Sequence, residues 1–140
     1  MNGPGNANSA RGQAMVRATD AMLRVMGGTE VWLRLPTPAA AEATAVQLGL
    51  AAPQVEDVPL SPVVVLALSG DPRQQRLRYE LLVSATAVSR VMEDRGFESA
   101  EVLFHSALGV LMNGQLLHVE AMAVETLGGM TSLYRLTAAE

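Results

Sequence analysis

Gly109-Val110-Leu111-Met112-Asn113-Gly114-Gln115-Leu116-Leu117-His118-Val119 is the stretch on which the fold turns. Asn-Gly between two apolar runs is the favoured two-residue hairpin loop, because both central residues of a type I′ turn must accept a positive φ. The stretch therefore predicts an antiparallel pair, residues 110–112 against a strand that runs on from 116 to about 125. Gly128-Gly129 offers the next turn, and residues 131–137 read as the returning strand.

Upstream, Pro62 leads into Val63-Val64-Val65-Leu66-Ala67-Leu68, a continuous apolar run of the kind found in a buried strand. Gly70-Asp71-Pro72 turns the chain, and Arg76-Leu77-Arg78-Tyr79-Glu80-Leu81 alternates, with Leu77, Tyr79 and Leu81 on one face. These two strands form a second hairpin. Residues 84–95 change to helical spacing and stop at Gly96, and a further short helix is expected near 99–108, with Val102, Leu103 and Ala107 on its apolar side.

At the N-terminal end, residues 1–8 favour turns and open chain and are expected to form a mobile tail. Ser9 caps a helix running to about Met26 and ending at Gly27-Gly28. Met15, Ala18, Met22 and Val25 share one stripe of that helix. Arg17, Asp20 and Arg24 share another, with Asp20 and Arg24 spaced as an i,i+4 pair. Val31-Trp32-Leu33-Arg34-Leu35 is a short strand ended by Pro36. Thr37 and Pro38 then read as the cap and first residue of a short helix reaching Gly49. Residues 50–61, with Pro53, Pro59 and the acidic pair Glu56-Asp57, suit an exposed extended connector better than a strand. Residues 36–61 thus form an arm, within a single domain spanning 9–140. About six strands with inserted helices give an α+β class: a small antiparallel β-barrel or half-barrel with an N-terminal helix and inserted short helices.

The totals bound the function. The chain has 140 residues, 49% of them hydrophobic and 17% charged, a balance that supports one packed domain. It has no cysteine, so disulfides and thiolate metal sites are excluded. All ten basic residues are arginine, and the net charge is −4 without any basic run, which opposes a nucleic-acid-coating role. No apolar stretch approaches the ~18–20 residues that span a bilayer, and the first residues resemble no signal peptide, so a soluble protein made in the cytoplasm is expected, with no membrane partner.

The search for chemistry is short. Glu101 and His105 lie one helical turn apart, and His118 and Glu120 lie on one side of a strand, so these four have the atoms for a zinc or iron site. The competing explanation is a solvated helix face and an outward strand face, and no dense histidine motif accompanies them. Ser69, Asp71 and His105 lack the nucleophile elbow of a serine hydrolase, and Ser69 to Pro72 read as a turn. Gly27-Gly28 and Gly128-Gly129 lack phosphate-binding spacing, and Glu93-Asp94 and Glu56-Asp57 read as surface charge. The expectation is no catalytic residue, no cofactor and no metal.

That leaves interfaces. With Val31, Leu33 and Leu35 facing the core, Trp32 and Arg34 point outward, either beneath a covering helix or as an interface anchor. Met15, Met22 and Met26 on the first helix are either core filler or an oligomer contact. Together with Glu56 and Asp57 on the arm, these are the candidate interface residues.

The run from Met22 through Gly27-Gly28 to Val31-Trp32-Leu33-Arg34 resembles the opening helix, glycine and first strand of the small neck proteins of tailed phages and gene-transfer agents, the head–tail connector, adaptor and head-closure subunits. The stretch from Gly109 to Val119 resembles their late hairpin, and Leu133-Tyr134-Arg135-Leu136 their final strand; the likeness covers about a third of the chain, and residues 84–108 have no counterpart in it. It implies a barrel with a mobile arm, assembled with copies of itself in a ring between the portal or adaptor and the tail proteins, first in the cytoplasm and then in the virion neck. DNA would pass through only as cargo, which an acidic, lysine-free chain would not grip. A tail-terminator or tail-completion subunit would share this composition. A small metal-dependent enzyme and a ligand-binding barrel are the alternatives of other classes.

Overall fold

The computed structural model describes residues 4–37, 54–68, 73 and 76–140, with side chains from Ala10 onward. In chain order the elements are α1 (Pro4–Met26), β1 (Val31–Pro36), β2 (Val55–Leu60), β3 (Val63–Leu68), β4 (Arg78–Ser84), α2 (Ala85–Arg95), α3 (Ala100–Ser106), β5 (Gly109–Met112), β6 (Gln115–Leu127) and β7 (Met130–Ala139). The chain is α+β: its described residues form one seven-stranded sheet in the order β2-β1-β5-β6-β7-β4-β3, antiparallel at every pairing, and three helices.

The quoted hairpin forms as expected. Asn113 has φ 52° and Gly114 φ 76°, and Val110 pairs with Leu117 on the core face. Long β6 then joins two halves: its start pairs with β5, and the remainder pairs with β7. The sheet stays open, with β2 and β3 as its edges. These edges are consecutive in the chain, linked only by Ser61 and Pro62. Three Cα steps of at most ~3.8 Å therefore separate the end of one edge from the start of the other.

The core fills one face of the sheet. Val31, Leu33, Leu35, Val58, Leu60, Val63, Leu81, Val83, Val110, Leu117, Leu136 and Ala138 meet Val88 and Val91 of α2 and Leu103 and Phe104 of α3. Ser84 caps α2 by accepting the Ala87 N–H, and Gly96 closes it in the left-handed conformation; Ser99 caps α3 through the Val102 N–H. Helix α1 lies on β7, β4 and β3 instead. There Val64 is buried although it points away from the core-lining Val63.

Four expectations are corrected. Residues 55–60 are not a connector but strand β2, fully paired with β1, because Val58 and Leu60 bury beside Leu33 and Val31. Pro59 is tolerated because β2 is an edge strand, where a missing N–H breaks no second ladder. Second, α1 begins at Pro4, five residues before Ser9, with proline at the first helical position. Third, Leu77 precedes β4 and is exposed, while Tyr79 and Leu81 face inward.

The fourth correction concerns Asp20, whose place also decides between the two readings left open for the stripe of α1. Its packed side carries Gly12, Thr19, Asp20 and Leu23, with Gly27 following, and the apolar stripe points to solvent: Met15 is 43% exposed, Met22 58%, Val25 86% and Met26 63%. Asp20, expected as the i,i+4 partner of Arg24, is instead 6% exposed and accepts hydrogen bonds from Ser84 Oγ at 2.5 Å and Thr86 Oγ1 at 2.6 Å. The carboxylate thus sits at the N-terminus of α2, where the free N–H groups and helix dipole favour negative charge. Thr19 satisfies its buried hydroxyl on the Met15 carbonyl at 2.9 Å. Polar anchoring and close backbone approach determine this helix's orientation, and its hydrophobic stripe does not. The short helix expected over 38–48 lies outside the described residues, as do residues 38–53 of the expected arm.

Candidate functional site

Pleat alternation places Trp32 and Arg34 on the sheet face opposite the core, as expected, and both are half-buried. Trp32 belongs to a row in register across four strands: Pro59 on β2, Trp32 on β1, Leu111 on β5 and Leu116 on β6. One row along, Arg34 grips Asp57 with two parallel bonds, Nε to Oδ1 at 2.9 Å and a terminal nitrogen to Oδ2 at 3.0 Å. The hydrogen bond from Arg34 holds the Asp57 carboxyl below its ordinary range, and the same bond raises the arginine. Glu56 turns the other way and pairs with Arg95 at the end of α2, at 2.5 Å. Of the expected interface residues, then, Arg34, Glu56 and Asp57 already hold partners within the chain, tying β2 to β1 and α2.

The apolar candidates are still available. An open groove of about 370 Å³ runs between the end of α1 and the β1–β2 edge, lined by Leu23, Gly27, Trp32, Pro59, Pro62 and Val63. Beside it the exposed face of α1 carries Met15, Met22, Val25 and Met26. At 100° per residue the methionines run along one flank of that face and Arg17 and Arg24 along the other, with Ala14, Ala21 and Val25 between them. The sequence carried the signal for this face, but periodicity alone does not say whether an apolar stripe points in or out.

The four metal-site candidates do not assemble. Glu101, His105 and Glu120 border a recess of about 290 Å³ beside Phe104 and Met122, and His118 is not part of it. The strand alternation that aligned His118 with Glu120 is interrupted, because β6 slips register between Val119 and Ala121. Glu120 binds Arg78 at 3.1 Å, with Arg76 at 3.9 Å. Among the described residues no three histidine or acidic side chains stand where they could share a metal ion. Of the residues weighed as a hydrolase triad, Ser69 and Asp71 lie outside the described residues, and His105 is exposed on α3.

Three features escaped the sequence reading. One is the Asp20–Ser84–Thr86 cluster, which joins positions 64 and 66 residues apart. Another is the ladder on β4, β7 and β6, in which Arg135 reaches Glu80 at 2.7 Å and Glu125 at 3.2 Å. The third is the contact of Tyr134 with Phe104, ring centres 6.3 Å apart, where burial pushes the Tyr134 hydroxyl's pKa up. All three depend on contacts between separate elements, which local spacing does not encode.

Among the described residues no helix is long and apolar enough to cross a membrane. A scan against protein-family models, a search of curated proteins and a search of solved structures each found no match to the chain.

Proposed function

We propose that this protein is a non-catalytic assembly subunit, a ring component that joins portal or adaptor to tail at a phage-type head–tail junction. The observation that carries the reading is the outward face of α1. A helix that packs its glycine, threonine and aspartate side inward and leaves Met15, Met22, Val25 and Met26 in water is arranged for a protein partner. The Trp32 row and the groove at the end of α1 extend that apolar surface. The resemblance of the opening helix-and-strand and of the late hairpin to neck proteins supports the ring. The finer architecture that goes with it is a half-barrel, supported by the two-residue link between the edge strands β2 and β3. The chain would assemble from the cytoplasm into the virion neck, with portal or adaptor on one side, tail proteins on the other and DNA passing through.

Quantitative mass spectrometry of particles purified from an induced culture of the source organism tests the reading. Recovery at a fixed multiple of the portal subunit is expected, and the multiple gives the ring order. A chain missing from particles that contain portal and tail proteins would remove the proposal.

A second reading, a small ligand-binding barrel, is favoured by the groove at Trp32, whose volume lies in the range of small-molecule sites at roughly 300–1,000 Å³. A bound metabolite recovered with the native protein would favour it, and Trp32 fluorescence would report the binding.

A further inference from the structure

The charge on α1 is as unusual as its hydrophobic face. Arg11, Arg17 and Arg24 all lie exposed on it, its one acid is the buried Asp20, and none of the three arginines takes part in an ion pair among the described residues. On a chain of net charge −4 this makes α1 a cationic, methionine-edged face on an otherwise acidic molecule.

The complementary surface is the elbow between α2 and α3. Glu93, Asp94, Glu98 and Glu101 are exposed there and take part in no ion pair among the described residues, and the exposed Val102 lies in the first turn of α3 beside Glu101. Among the described residues of α2 and α3, Arg90 takes part in no ion pair, and Arg95 is held by Glu56. The elbow cannot reach α1 of its own chain. Helix α2 meets α1 at its N-terminus, through Ser84 and Thr86, and the elbow lies at its other end, eleven residues or about 16 Å away.

We infer that the arginine–methionine face of α1 docks on the acidic α2–α3 elbow of a second copy of this chain. The inference rests on the ring reading above and specifies its contact. Two different patches on separate parts of one subunit make a heterologous interface, which closes into a ring when the rotation allows. Val25 and the methionines supply the apolar centre, opposite Val102. The arginines and carboxylates form the polar rim and set register and specificity.

Charge reversal on each side, followed by mixing, tests it. One variant carries R11E, R17E and R24E, and the other carries E93R, D94R and E98R. Glu101 is kept because it lies in the first turn of α3, where an acid favours the helix. Self-association is measured by sedimentation at low ionic strength, where the charges are least screened. Each variant alone should dissociate on the order of 100-fold more readily than the wild type, since attraction becomes repulsion at three positions. An equimolar mixture should associate again, because each reversed surface then meets its complement. A mixture that stays apart, or an α1 variant that associates like the wild type, overturns the docking pair and leaves the ring reading standing. A wild-type chain monomeric at every concentration, and absent from particles, removes both. Should a triple reversal fail to fold, M22Q with V25Q probes the same face and should weaken association alone.

Discussion

Replacing Asp20 by alanine distinguishes a buried polar cluster from a surface helix pair. The side chain accepts two short hydrogen bonds, from Ser84 and Thr86, and Ser84 is fully buried. A hydrogen bond to a carboxylate contributes about 1.5–3 kcal/mol, and a buried donor left without an acceptor costs about 1–3 kcal/mol. Removing the buried acid also relieves its own desolvation, which offsets part of the loss. Favourable placement at the N-terminus of α2 adds about 0.5 kcal/mol. The net expectation is a loss of about 3 kcal/mol, equivalent to a fall of roughly 10 °C in Tm for a domain of this size. Urea unfolding at neutral pH, with the slope unchanged, measures it.

The same substitution read from sequence, as loss of an exposed Asp20–Arg24 pair, would cost no more than about 0.5 kcal/mol. A measured loss of that size would refute the packing described for α1. A double-mutant cycle sharpens the test. T86V removes one donor, so its cost should largely vanish when Asp20 is already alanine, leaving a coupling of about 1 kcal/mol or more. Additive costs would mean that Thr86 and Asp20 do not interact in solution.

Other substitutions probe the remaining contacts. G27A should cost about 1–3 kcal/mol, since a Cβ there would stand 2.4 Å from the Val63 carbonyl oxygen. G28A, with open space around it, should stay within about 0.5 kcal/mol in the same thermal melt. L103A removes a fully buried core side chain and should cost about 2–5 kcal/mol by urea unfolding, whereas V102A at the exposed neighbour should be nearly neutral. For Asp57, whose pKa is lowered in the folded state, the stabilisation from Arg34 is fully present above the unfolded pKa. It fades as pH falls through the lower folded pKa, so the gap between wild type and R34Q should hold at neutral pH and shrink only in acid. Chelator treatment should leave the melt unchanged, because Glu120 is engaged by Arg78 and no three candidate ligands among the described residues could share a metal ion.

Local signals gave the elements wherever the chain's own chemistry fixes them. The Asn113-Gly114 turn, the Ser84 and Ser99 caps and the Gly96 stop form where their side chains or permissive φ place them. Alternation likewise put Val31, Leu33 and Leu35 inside and Trp32 and Arg34 outside. The hairpin partners 110–112 with 115 onward and 63–68 with 78–84 also formed as read, and what failed were judgements that needed an element from elsewhere in the fold. Residues 55–60 looked like a connector because Pro59 argues against a strand, yet an edge position removes that objection, and which strands are edges is a property of the whole sheet. The four-residue spacing of Asp20 and Arg24 looked like a surface pair because helical geometry alone cannot reveal that Ser84 and Thr86 arrive from across the fold.

The orientation of α1 joins structure to proposed function. Burying a methionine or valine fully is worth about 1.5–3 kcal/mol, so four such side chains left largely exposed forgo several kcal/mol that the reverse orientation could gain. The packed side is instead narrow: Gly12 comes close to Gly128 and Met130, Gly27 close to Val63, and Leu23 is the one large apolar side chain among them that is buried. Rotating the helix to bury its methionines would bring those bulky residues where backbone now nearly touches backbone, and would pull Asp20 from its two donors. The fold therefore fixes α1 through steric fit and one polar cluster, and keeps the apolar face outside at a cost in solubility. An exposed apolar face is the usual mark of an interaction site, and the arginines along its flank, without ion pairs among the described residues, suit the acidic cover inferred above. On this chain, the elbow of a second copy meets that description.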